Sequence, residues 1–247
     1  MRTFGLIGYP LTHSFSKKYF TEQFEREGTA DCKYELFSLE NITGLVPLLA
    51  EQTTLSGLNV TIPHKVNVLP YLDELDDAAE QIGAVNCIAI RSVDNKPYLK
   101  GYNTDAYGFA ASLKPLLQAH HTKALILGNG GAAKAVKYVL HQLGISYQLV
   151  VRTAVPGAIT YEEVTPEMIA THQLIINTTP LGMYPDITAA PSLPYHLLSP
   201  AHIAYDLIYN PEETAFLQKA KAEGAVIKNG MEMLHLQADR SWEIWNA

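Results

Sequence analysis

The stretch Ala124–Val136, ALILGNGGAAKAV, decides the fold of this chain. Its first four apolar residues predict a strand buried on both faces, three glycines follow, and an alanine-rich segment then predicts a helix. Glycine lets a backbone turn sharply, so that N–H groups at the positive end of the helix can approach a diphosphate. The spacing GxGGxA is a weak signal taken alone, and a glycine turn without a ligand is the alternative.

A second apolar run completes a strand, helix, strand unit. A helix is predicted over Ala133–Leu143, with Gly144 at its end, and Tyr147–Val151 is predicted as the next strand. Dinucleotide folds usually carry an acid after that strand to bond the ribose, whereas an arginine there accommodates a 2′-phosphate. Arg152 and Thr153 stand at this point, so the residues favour NADP over NAD. A solvated surface arginine is the alternative.

The composition of the chain is that of an ordinary globular protein. Of its 247 residues 47% are hydrophobic and 17% charged, and the formal net charge is −7. The basic residues are scattered, so we expect no nucleic-acid partner. Without a membrane-length apolar run or a signal-peptide pattern, we expect no membrane partner and a cytoplasmic location. Cys32 and Cys87 lack metal-ligand spacing, so no metal site is predicted.

Polar residues follow the first predicted strand, Thr3–Ile7. A helix with an apolar stripe is predicted over Phe15–Arg26, so Ser14 and Ser16 lie at or near its start. From position alone we favour capping of the helix by one of these serines. Binding of a polyol or a carboxylate by the two hydroxyls is the alternative.

A later strand is predicted over Leu58–Pro63. Thr61 lies near its carboxyl end, and His64 and Lys65 follow directly after it. Ligands of open α/β sheets bind outside the carboxyl ends of the strands, so these side chains are candidates for a binding crevice. A solvated lysine and a histidine at a helix start are the alternatives.

Two more polar residues occupy informative places. Asn86 lies in an apolar segment, Ala84–Ile90, predicted as a strand, and its amide must find partners there, either a ligand or the backbone. Asp105 lies in the first turn of a helix that Asn103 or Thr104 can cap. The helix dipole favours a carboxylate at that position, which is explanation enough for Asp105.

The C-terminal half continues as an α/β pattern. Strands are predicted at Leu174–Asn177, Ile203–Leu207 and Ala225–Ile227, with a helix over Glu212–Glu223. The residues after Arg152 leave room only for an abbreviated crossover. The last helix, Met231–Trp245, has an apolar face that we expect to pack on the first lobe.

Nine short motifs occur at suitable intervals along the chain. In chain order they are GYPLTHSFS from Gly8, NVTIPHK from Asn59, GAVN from Gly83, NTD from Asn103, GNGGAA from Gly128, RT from Arg152, INTTPLGM from Ile176, YDLIYNP from Tyr205 and NGMEMLHLQ from Asn229. With these motifs the chain resembles the shikimate dehydrogenase family over essentially its whole length. The resemblance implies a reversible, NADPH-dependent reduction of 3-dehydroshikimate to shikimate, in the chorismate pathway to the aromatic amino acids.

The resemblance also implies the architecture. The fold class is α/β with two lobes, an N-terminal α/β substrate-binding lobe and a Rossmann-type dinucleotide-binding lobe, and the active site lies in the cleft between them. We expect residues 1–102 and 231–247 to form the substrate-binding domain and residues 103–230 to form the NADP-binding domain.

Two catalytic residues are implied in the same way. Lys65 matches the catalytic lysine of the family, and Asp105 matches its catalytic partner. Hydride arriving at a ketone carbon leaves negative charge on the oxygen, so a proton donor must stand beside that oxygen. A lysine ammonium group can donate this proton and, in the reverse direction, the amine can accept it.

The binding residues follow from the motifs residue by residue. Ser14 and Ser16 match the pair that binds the substrate carboxylate, which replaces the capping interpretation, and Tyr209 matches another substrate contact. Thr61, Asn86 and Gln237 match the hydroxyl-binding set, which Lys65 and Asp105 complete. The NADP(H) set is Gly128, Asn129, Gly130, Gly131, Ala132, Arg152, Thr153, Leu207 and Gly230, with Asp77 as a looser assignment.

This chain departs from the family pattern at several positions. Val151 stands where the family commonly has asparagine, and no second basic residue follows Thr153, so one arginine must carry most of the phosphate recognition. Asn129 replaces a usual alanine, Ala106 a usual glycine and Cys87 a usual threonine. We expect these three changes to be tolerated.

Two other functions stay open at this point. A quinate or broader-specificity dehydrogenase of the same family differs in how it treats the additional hydroxyl of quinate. A metabolite-sensing relative without turnover is the second alternative, which loss of Lys65 or Asp105 would have favoured. A homodimer stays open beside a monomer.

Overall fold

The structure is a computed structural model that describes residues 1–11, 15–94 and 96–247, so the predicted substrate residue Ser14 lies outside the described residues. Contacts divide the chain into two compact units, one of residues 1–104 and 238–247 and one of residues 105–237. These boundaries lie two and seven residues further along the chain than the domain boundaries expected from the sequence.

The first unit is built on a mixed six-stranded sheet. Its strands are β1 (Arg2–Gly8), β2 (Cys32–Ser38), β3 (Leu55–Val60), β4 (Glu74–Leu75), β5 (Cys87–Val93) and β6 (Lys96–Tyr102). Their order is β2-β1-β3-β5-β6-β4. Strand β1 runs parallel to β2 and β3, whereas β5 is antiparallel to β3 and β6. The carboxyl ends of β1, β2 and β3 therefore meet at one edge of the sheet.

Helices and two apolar clusters complete the first unit. The helices are α1 (Phe15–Glu27), α2 (Leu45–Glu51), α3 (His64–Asn67) and α4 (Asp77–Ile82). One cluster is mainly aliphatic and includes Leu58 and Ile88. The other is mainly aromatic, and in it Phe4 stacks on Trp245 with ring centroids 4.8 Å apart. The last ten residues of the chain thus contribute to the core of this unit.

The second unit contains an all-parallel six-stranded sheet. Its strands are β7 (Lys123–Leu127), β8 (Ser146–Val151), β9 (Ala158–Thr160), β10 (Leu174–Asn177), β11 (Ile203–Asp206) and β12 (Val226–Lys228). In the order β12-β11-β10-β7-β8-β9, successive strands run outward from β7 to β9 on one side and from β10 to β12 on the other. The connections therefore change direction between β7 and β10, although all the strands are parallel. Doubly wound sheets bind ligands at such a switch point, so the predicted α/β class with a Rossmann-type sheet is confirmed.

Helices accompany this sheet as well. They are α5 (Thr104–Leu113), α6 (Gly131–Gln142), α7 (Pro166–Thr171), α8 (Ala215–Ala222) and the first part of α9 (Met231–Asn246), whose residues from Ala238 onward belong to the first unit. The central strands β7, β10 and β11 are buried on both faces, with Leu125, Leu127 and Ile175 fully buried in the apolar core. Continuous burial is expected for parallel strands covered on both sides.

Some elements differ from those expected from the sequence. The crossover after Arg152 contains a strand, β9, and a six-residue helix, α7, neither of which was predicted. Strand β3 begins at Leu55 and ends at Val60, because the chain turns after Thr61, where His64 N donates to Thr61 O.

Two further boundaries move because of local hydrogen bonds. Helix α8 begins at Ala215 rather than at Glu212, because the Thr214 side chain caps it by accepting from Leu217 N. Asn86 precedes β5 instead of lying within it, because its carbonyl accepts the N–H of Val60 outside the paired residues of the two strands. In the described ranges, no helix has both the length and the apolar character needed to cross a membrane.

Candidate active site

The ends of β1 and β3 approach closely at the carboxyl edge of the first sheet. Thr61 N donates to Ile7 O at 2.9 Å, and Tyr9 N donates to Ile62 O at 3.0 Å. A Cβ atom on Gly8 would lie 2.4 Å from Thr61 Cγ2, so only glycine permits this approach. Gly8 therefore holds the predicted substrate residue Thr61 at the edge of the sheet.

Lys65 lies on the short helix α3, whose main chain is held from two sides. Val85 N donates to Lys65 O at 2.8 Å. The preceding residue, His64, is 1% exposed, and its Nε2 donates to Leu39 O at 2.6 Å, just beyond the end of β2. The main chain at the predicted catalytic lysine is therefore held by hydrogen bonds to the segment after β2 and to the segment before β5.

Asn86 is buried, and its amide is bonded to the start of α5. Oδ1 accepts from Thr104 N at 2.6 Å, and Nδ2 donates to Thr104 Oγ1 at 3.0 Å. The main-chain oxygen of Asn86 accepts from Val60 N at 2.9 Å and from Asn59 Nδ2 at 3.3 Å. The amide thus has protein partners, which was one of the two alternatives left by the sequence.

Further polar groups continue inward from these contacts. Tyr34 Oη donates to Asn59 Oδ1 at 2.8 Å, and Asn59 Nδ2 donates to Ser241 Oγ at 3.0 Å. Ser241 Oγ lies 3.2 Å from Thr104 Oγ1. We call Tyr34, Asn59, Thr104 and Ser241 the buried network.

Ser16 reaches one end of the buried network. It is the second residue of α1, so it does not occupy the N-cap position. Its side chain lies near Tyr34, where it opposes the rise in the pKa of Tyr34 well above its ordinary value that burial causes. The predicted carboxylate-binding serine therefore lies beside the buried network, whose Thr104 bonds the predicted hydroxyl-binding Asn86.

In the second unit, the glycine loop follows β7 at the switch point of the sheet. Gly128 has a φ of +98°, and a Cβ atom there would lie 2.9 Å from Thr179 Cγ2. Cβ atoms built on Gly130 and Gly131 meet nothing within 4 Å. Gly130, the N-cap residue of α6, has no side chain with which to cap the helix, so the helix start offers space and N–H donors suited to a diphosphate.

The end of β8 presents the residues predicted for the 2′-phosphate. Arg152 and Thr153 are exposed, whereas Val151 is 9% exposed and packs in the sheet. The Asn129 side chain accepts from Lys137 Nζ at 3.0 Å. Arg152 and Thr153 are thus the side chains that this strand end offers to solvent.

A buried carboxylate organises the ends of β10 and β11. Asp206 is 0% exposed, and Oδ1 accepts from Asn177 Nδ2 at 3.1 Å and from Ile208 N at 3.0 Å. Oδ2 accepts from Thr214 Oγ1 at 2.6 Å. Burial raises the pKa of Asp206 to about 6, against the opposing effect of these hydrogen bonds. The carboxylate therefore joins both strand ends to the start of α8.

The two residues predicted near the nicotinamide lie side by side. Gly230 N donates to Ile208 O at 3.0 Å, and Leu207 N donates to Asn177 O at 3.1 Å. A Cβ atom on Gly230 would overlap the carbonyl group of Leu207. Glycine is therefore required for this contact, and the structure brings Leu207 and Gly230 together.

The remaining predicted residues belong to separate parts of the chain. In the second unit, Asp105 lies in the first turn of α5, and the half-buried Tyr209 has its pKa raised by burial. Gln237 is buried on α9, and its Nε2 donates to Leu234 O at 2.9 Å. Asp77 is exposed in the first turn of α4, in the first unit.

Comparison with known proteins relates the chain to one family. Residues 6–88 match the family model of the shikimate dehydrogenase substrate binding domain. A shikimate dehydrogenase (NADP(+)) of Methanosphaera stadtmanae is 35% identical over an alignment 260 positions long, which covers 98% of this chain and 90% of that relative. The chain belongs to the shikimate dehydrogenase family. The predicted family, the class of NADP-dependent oxidoreductases and the NADP(H) cofactor are confirmed.

Solved structures show the same relationship. A structure of shikimate 5-dehydrogenase from Thermus thermophilus in complex with NADP(H) and shikimate has a TM-score of 0.85 and 32% identity, covering 99% of this chain and 93% of that one. A 5-ketofructose reductase of Gluconobacter sp. strain CHM43 has a TM-score of 0.83 and 30% identity, covering 99% and 92%. The fold of this family thus also occurs in a reductase with a different named substrate.

Several residues of this site were missed by sequence reasoning. Thr104 was considered only as a helix cap, and Tyr34 and Ser241 carry no signal in the sequence because their partners lie far away along the chain. Asn59 could have been found by the argument applied to Asn86, because it is an amide within a buried strand.

Proposed function

We propose that this enzyme catalyses the reversible reduction of 3-dehydroshikimate to shikimate by NADPH, in the chorismate pathway to the aromatic amino acids. The observation that carries the proposal is the arrangement of Thr61, Lys65 and Asn86. These residues come from three segments that hydrogen bonds tie to one edge of the first sheet. That edge is where an α/β sheet binds its ligand.

In this proposal Lys65 moves the proton. During reduction its ammonium group donates a proton to the oxygen of the ketone as hydride reaches the carbon, and a C–OH group forms. During oxidation the amine accepts the hydroxyl proton as hydride leaves the carbon. Asp105 orients the ammonium group and accepts a hydrogen bond from a neighbouring ring hydroxyl. Such acid–base assistance accelerates a reaction by roughly 10²- to 10⁴-fold.

The remaining side chains orient the substrate. Ser14 and Ser16 donate hydrogen bonds to its carboxylate, and Tyr209 provides a further contact. The side chains proposed to bind the ring hydroxyls, besides Lys65 and Asp105, are Thr61, Asn86 and Gln237.

The residues of the second unit fit NADP(H). The open space at Gly130 and Gly131 and the uncapped start of α6 suit the diphosphate. Ala132 continues this turn and Asn129 precedes it, while Arg152 and Thr153 would bind the 2′-phosphate. Leu207 and Gly230 would line the nicotinamide, and Asp77 is a looser candidate. When bound, the nicotinamide supplies or accepts the hydride.

We assign substrate binding to the first unit and NADP binding to the second. The match of residues 6–88 to the substrate-binding domain of the family supports this assignment. The expected domains are 1–102 with 231–247, and 103–230. The expected boundaries lie just before the helix starts at Thr104 and Met231, whereas the compact units divide after residue 104 and after residue 237. Residues 231–237 join the second unit because α5 packs on them, with Gly108 directly against Met233 and Gln237.

Cellular location and oligomeric state complete the proposal. Both cysteines are unpaired thiols, the state that a reducing compartment maintains, which supports a cytoplasmic location. A homodimer is proposed as the alternative to a monomer, and light scattering of the purified enzyme distinguishes the two masses.

The experiment that tests the function is a set of initial rates of nicotinamide reduction. Shikimate and quinate are each combined with NADP⁺ and NAD⁺, and the reductions of 3-dehydroshikimate and of 5-ketofructose by NADPH are measured beside them. We expect turnover with shikimate and NADP⁺ to exceed every other combination. Comparable rates with quinate would indicate a broader dehydrogenase, and faster reduction of 5-ketofructose than of 3-dehydroshikimate would contradict the proposal.

A further inference from the structure

The buried network bonds the predicted substrate-binding residue Asn86, and its Tyr34 lies near a second one, Ser16. We propose that Tyr34 and Ser241 are positioning residues, which hold the Asn59 amide and, through it and Thr104, keep Asn86 in the orientation needed to bind a hydroxyl group of shikimate. The inference rests on the proposed function, because it takes shikimate as the substrate. Tyr34 and Ser241 act through the amides and do not themselves contact the substrate.

The orientation of the Asn59 amide is set by its neighbours. The main-chain oxygen of Asn86 can only accept, so Nδ2 of Asn59 must face it, at 3.3 Å. The second N–H of Asn59 goes to Ser241 Oγ at 3.0 Å, and Oδ1 accepts from Tyr34 Oη at 2.8 Å. Both donors and one acceptor site of the amide are therefore used, and a flipped amide would place an oxygen against a carbonyl.

This orientation is passed on to Asn86 along two routes. Asn59 Nδ2 and Val60 N both donate to the main-chain oxygen of Asn86, which fixes its backbone. Ser241 Oγ contacts Thr104 Oγ1 at 3.2 Å, and Thr104 bonds the Asn86 amide through both its N–H and its hydroxyl. Ser241 thus touches the groups that fix the backbone of Asn86 and the groups that fix its side chain.

Burial makes these contacts consequential. Ser241 is 0% exposed and Tyr34 is 3% exposed, so water cannot readily replace a lost hydroxyl. A buried donor or acceptor left without its partner loses more than the hydrogen bond itself, and coupled polar groups respond together. Loss of either hydroxyl should therefore shift the Asn59 amide and, with it, Asn86.

The test uses two truncations and a matched control. Ser241→Ala and Tyr34→Phe each remove one hydroxyl, and Tyr34→Phe keeps the ring that stacks on Phe20 at 4.7 Å. The control is Ser112→Ala, which removes a hydroxyl that is 1% exposed and bonded to Tyr205 Oη at 2.7 Å in the second unit. Melting temperature is measured for every variant, with the KM of both substrates and the calorimetric Kd of shikimate.

We expect the KM and Kd of shikimate to rise about tenfold in Ser241→Ala and in Tyr34→Phe, while the KM of NADP⁺ stays unchanged and kcat falls less than threefold. Ser112→Ala should lose comparable thermal stability without any change in the KM of shikimate. The double variant should raise that KM far less than the product of the two single effects, because both hydroxyls act on one amide.

Other results overturn the inference. Unchanged KM and Kd values in both variants, or an equal KM rise in Ser112→Ala, would remove the positioning role while leaving the shikimate reaction of the wild-type enzyme intact. Independent, multiplicative effects in the double variant would also remove it. A wild-type enzyme that does not oxidise shikimate overturns the proposed function and the inference together. If Ser241→Ala does not fold, Tyr34→Phe carries the test alone.

Discussion

The proposed binding edge of the first unit consists of side chains held by other side chains, whereas that of the second consists largely of main chain. In the first, the amides of Asn59 and Asn86 take their orientation from buried hydroxyl groups. In the second, Gly130 and Gly131 leave open space before an uncapped helix. The difference matches the proposed ligands, a polyol in one unit and a diphosphate in the other.

The two edges suit ligands of different chemistry. The hydroxyl groups of a ring each need a donor or an acceptor at a fixed angle, which side-chain amides and hydroxyls provide. A diphosphate accepts hydrogen bonds from main-chain N–H groups, whatever the residue type, and is attracted by the helix dipole. Truncation of polar side chains should therefore impair ligand binding at the first edge. Added side-chain bulk or negative charge should impair it at the second.

The largest expected effect concerns Lys65. Lys65→Ala should lower kcat with shikimate about 10³-fold, because the group that moves the proton is lost, while the KM of shikimate changes only a few-fold. Lys18→Ala serves as the control, since Lys18 is exposed on α1 and lies 3.8 Å from Glu22. Steady-state kinetics give both constants, and near wild-type turnover in Lys65→Ala would exclude this role.

Asp206 should give the second unit a pH-dependent stability. Its folded pKa of about 6 lies above the ordinary value of 3.8, so between these values the folded state binds more protons than the unfolded state. Its contribution to stability is therefore greatest below the unfolded value and declines as pH rises through the folded pKa, by about 3 kcal/mol in total.

Urea denaturation of the wild type and of Asp206→Asn, from pH 4 to pH 7.5, measures this effect. The stability of the wild type relative to Asp206→Asn should fall with rising pH and level off above the folded pKa. A constant difference across the range would show that Asp206 does not titrate in this window. Asp206, a fully buried carboxylate, lies in the second unit, and the comparison with Asp206→Asn isolates its effect from that of half-buried Asp76 in the first unit, whose pKa burial also raises.

A charge at the glycine loop tests main-chain recognition. Gly131→Asp should fold normally, because the site has open space and a carboxylate suits a helix start. It should nevertheless raise the Kd of NADP⁺ about 100-fold, because like charges in contact cost several kcal/mol. Fluorescence titration and melting curves separate the two effects.

The opposite end of the same helix supplies the control. Gly144 has a φ of +68°, so Gly144→Ala should cost about 1 kcal/mol of stability without changing the Kd of NADP⁺. Equal losses of affinity in Gly131→Asp and Gly144→Ala would mean that helix stability, not charge, controls binding.

The smallest effect is expected at the single exposed arginine after β8. Arg152→Ala should raise the Kd of NADP⁺ about tenfold, because one charge-assisted contact with the 2′-phosphate is lost. The Kd of NAD⁺ should stay unchanged and serves as the internal control. Parallel losses for both nucleotides would assign Arg152 to some feature that they share.

Local patterns predicted much of the second unit. The strand at Leu174–Asn177 has the predicted limits, and the strand, glycine loop and helix around Gly128 occur where the sequence placed them. Parallel strands are continuous apolar runs, which a sequence displays directly. The strand β9 was missed because its three residues are half-buried and gain their structure by pairing with β8.

The first unit was predictable in its elements and less so in its site. The motifs identified Thr61, Lys65 and Asn86 as candidate site residues, but not the hydrogen-bond partners that hold them in place. The Tyr34 hydroxyl meets Asn59 across 25 positions of sequence, and Ser241 meets Asn59 across 182. Contacts at such separations leave no local pattern, because neither partner needs the other until the sheet and the last helix have packed.

The sequence by itself determined the α/β class, the glycine loop and the family, because apolar periodicity, glycine and short motifs are local properties of the chain. Only the tertiary structure decided how the amides of Asn59 and Asn86 are oriented and which carboxylate is buried. Hydrogen-bond direction and burial depend on neighbours brought together by folding, so they exist only once the core has formed.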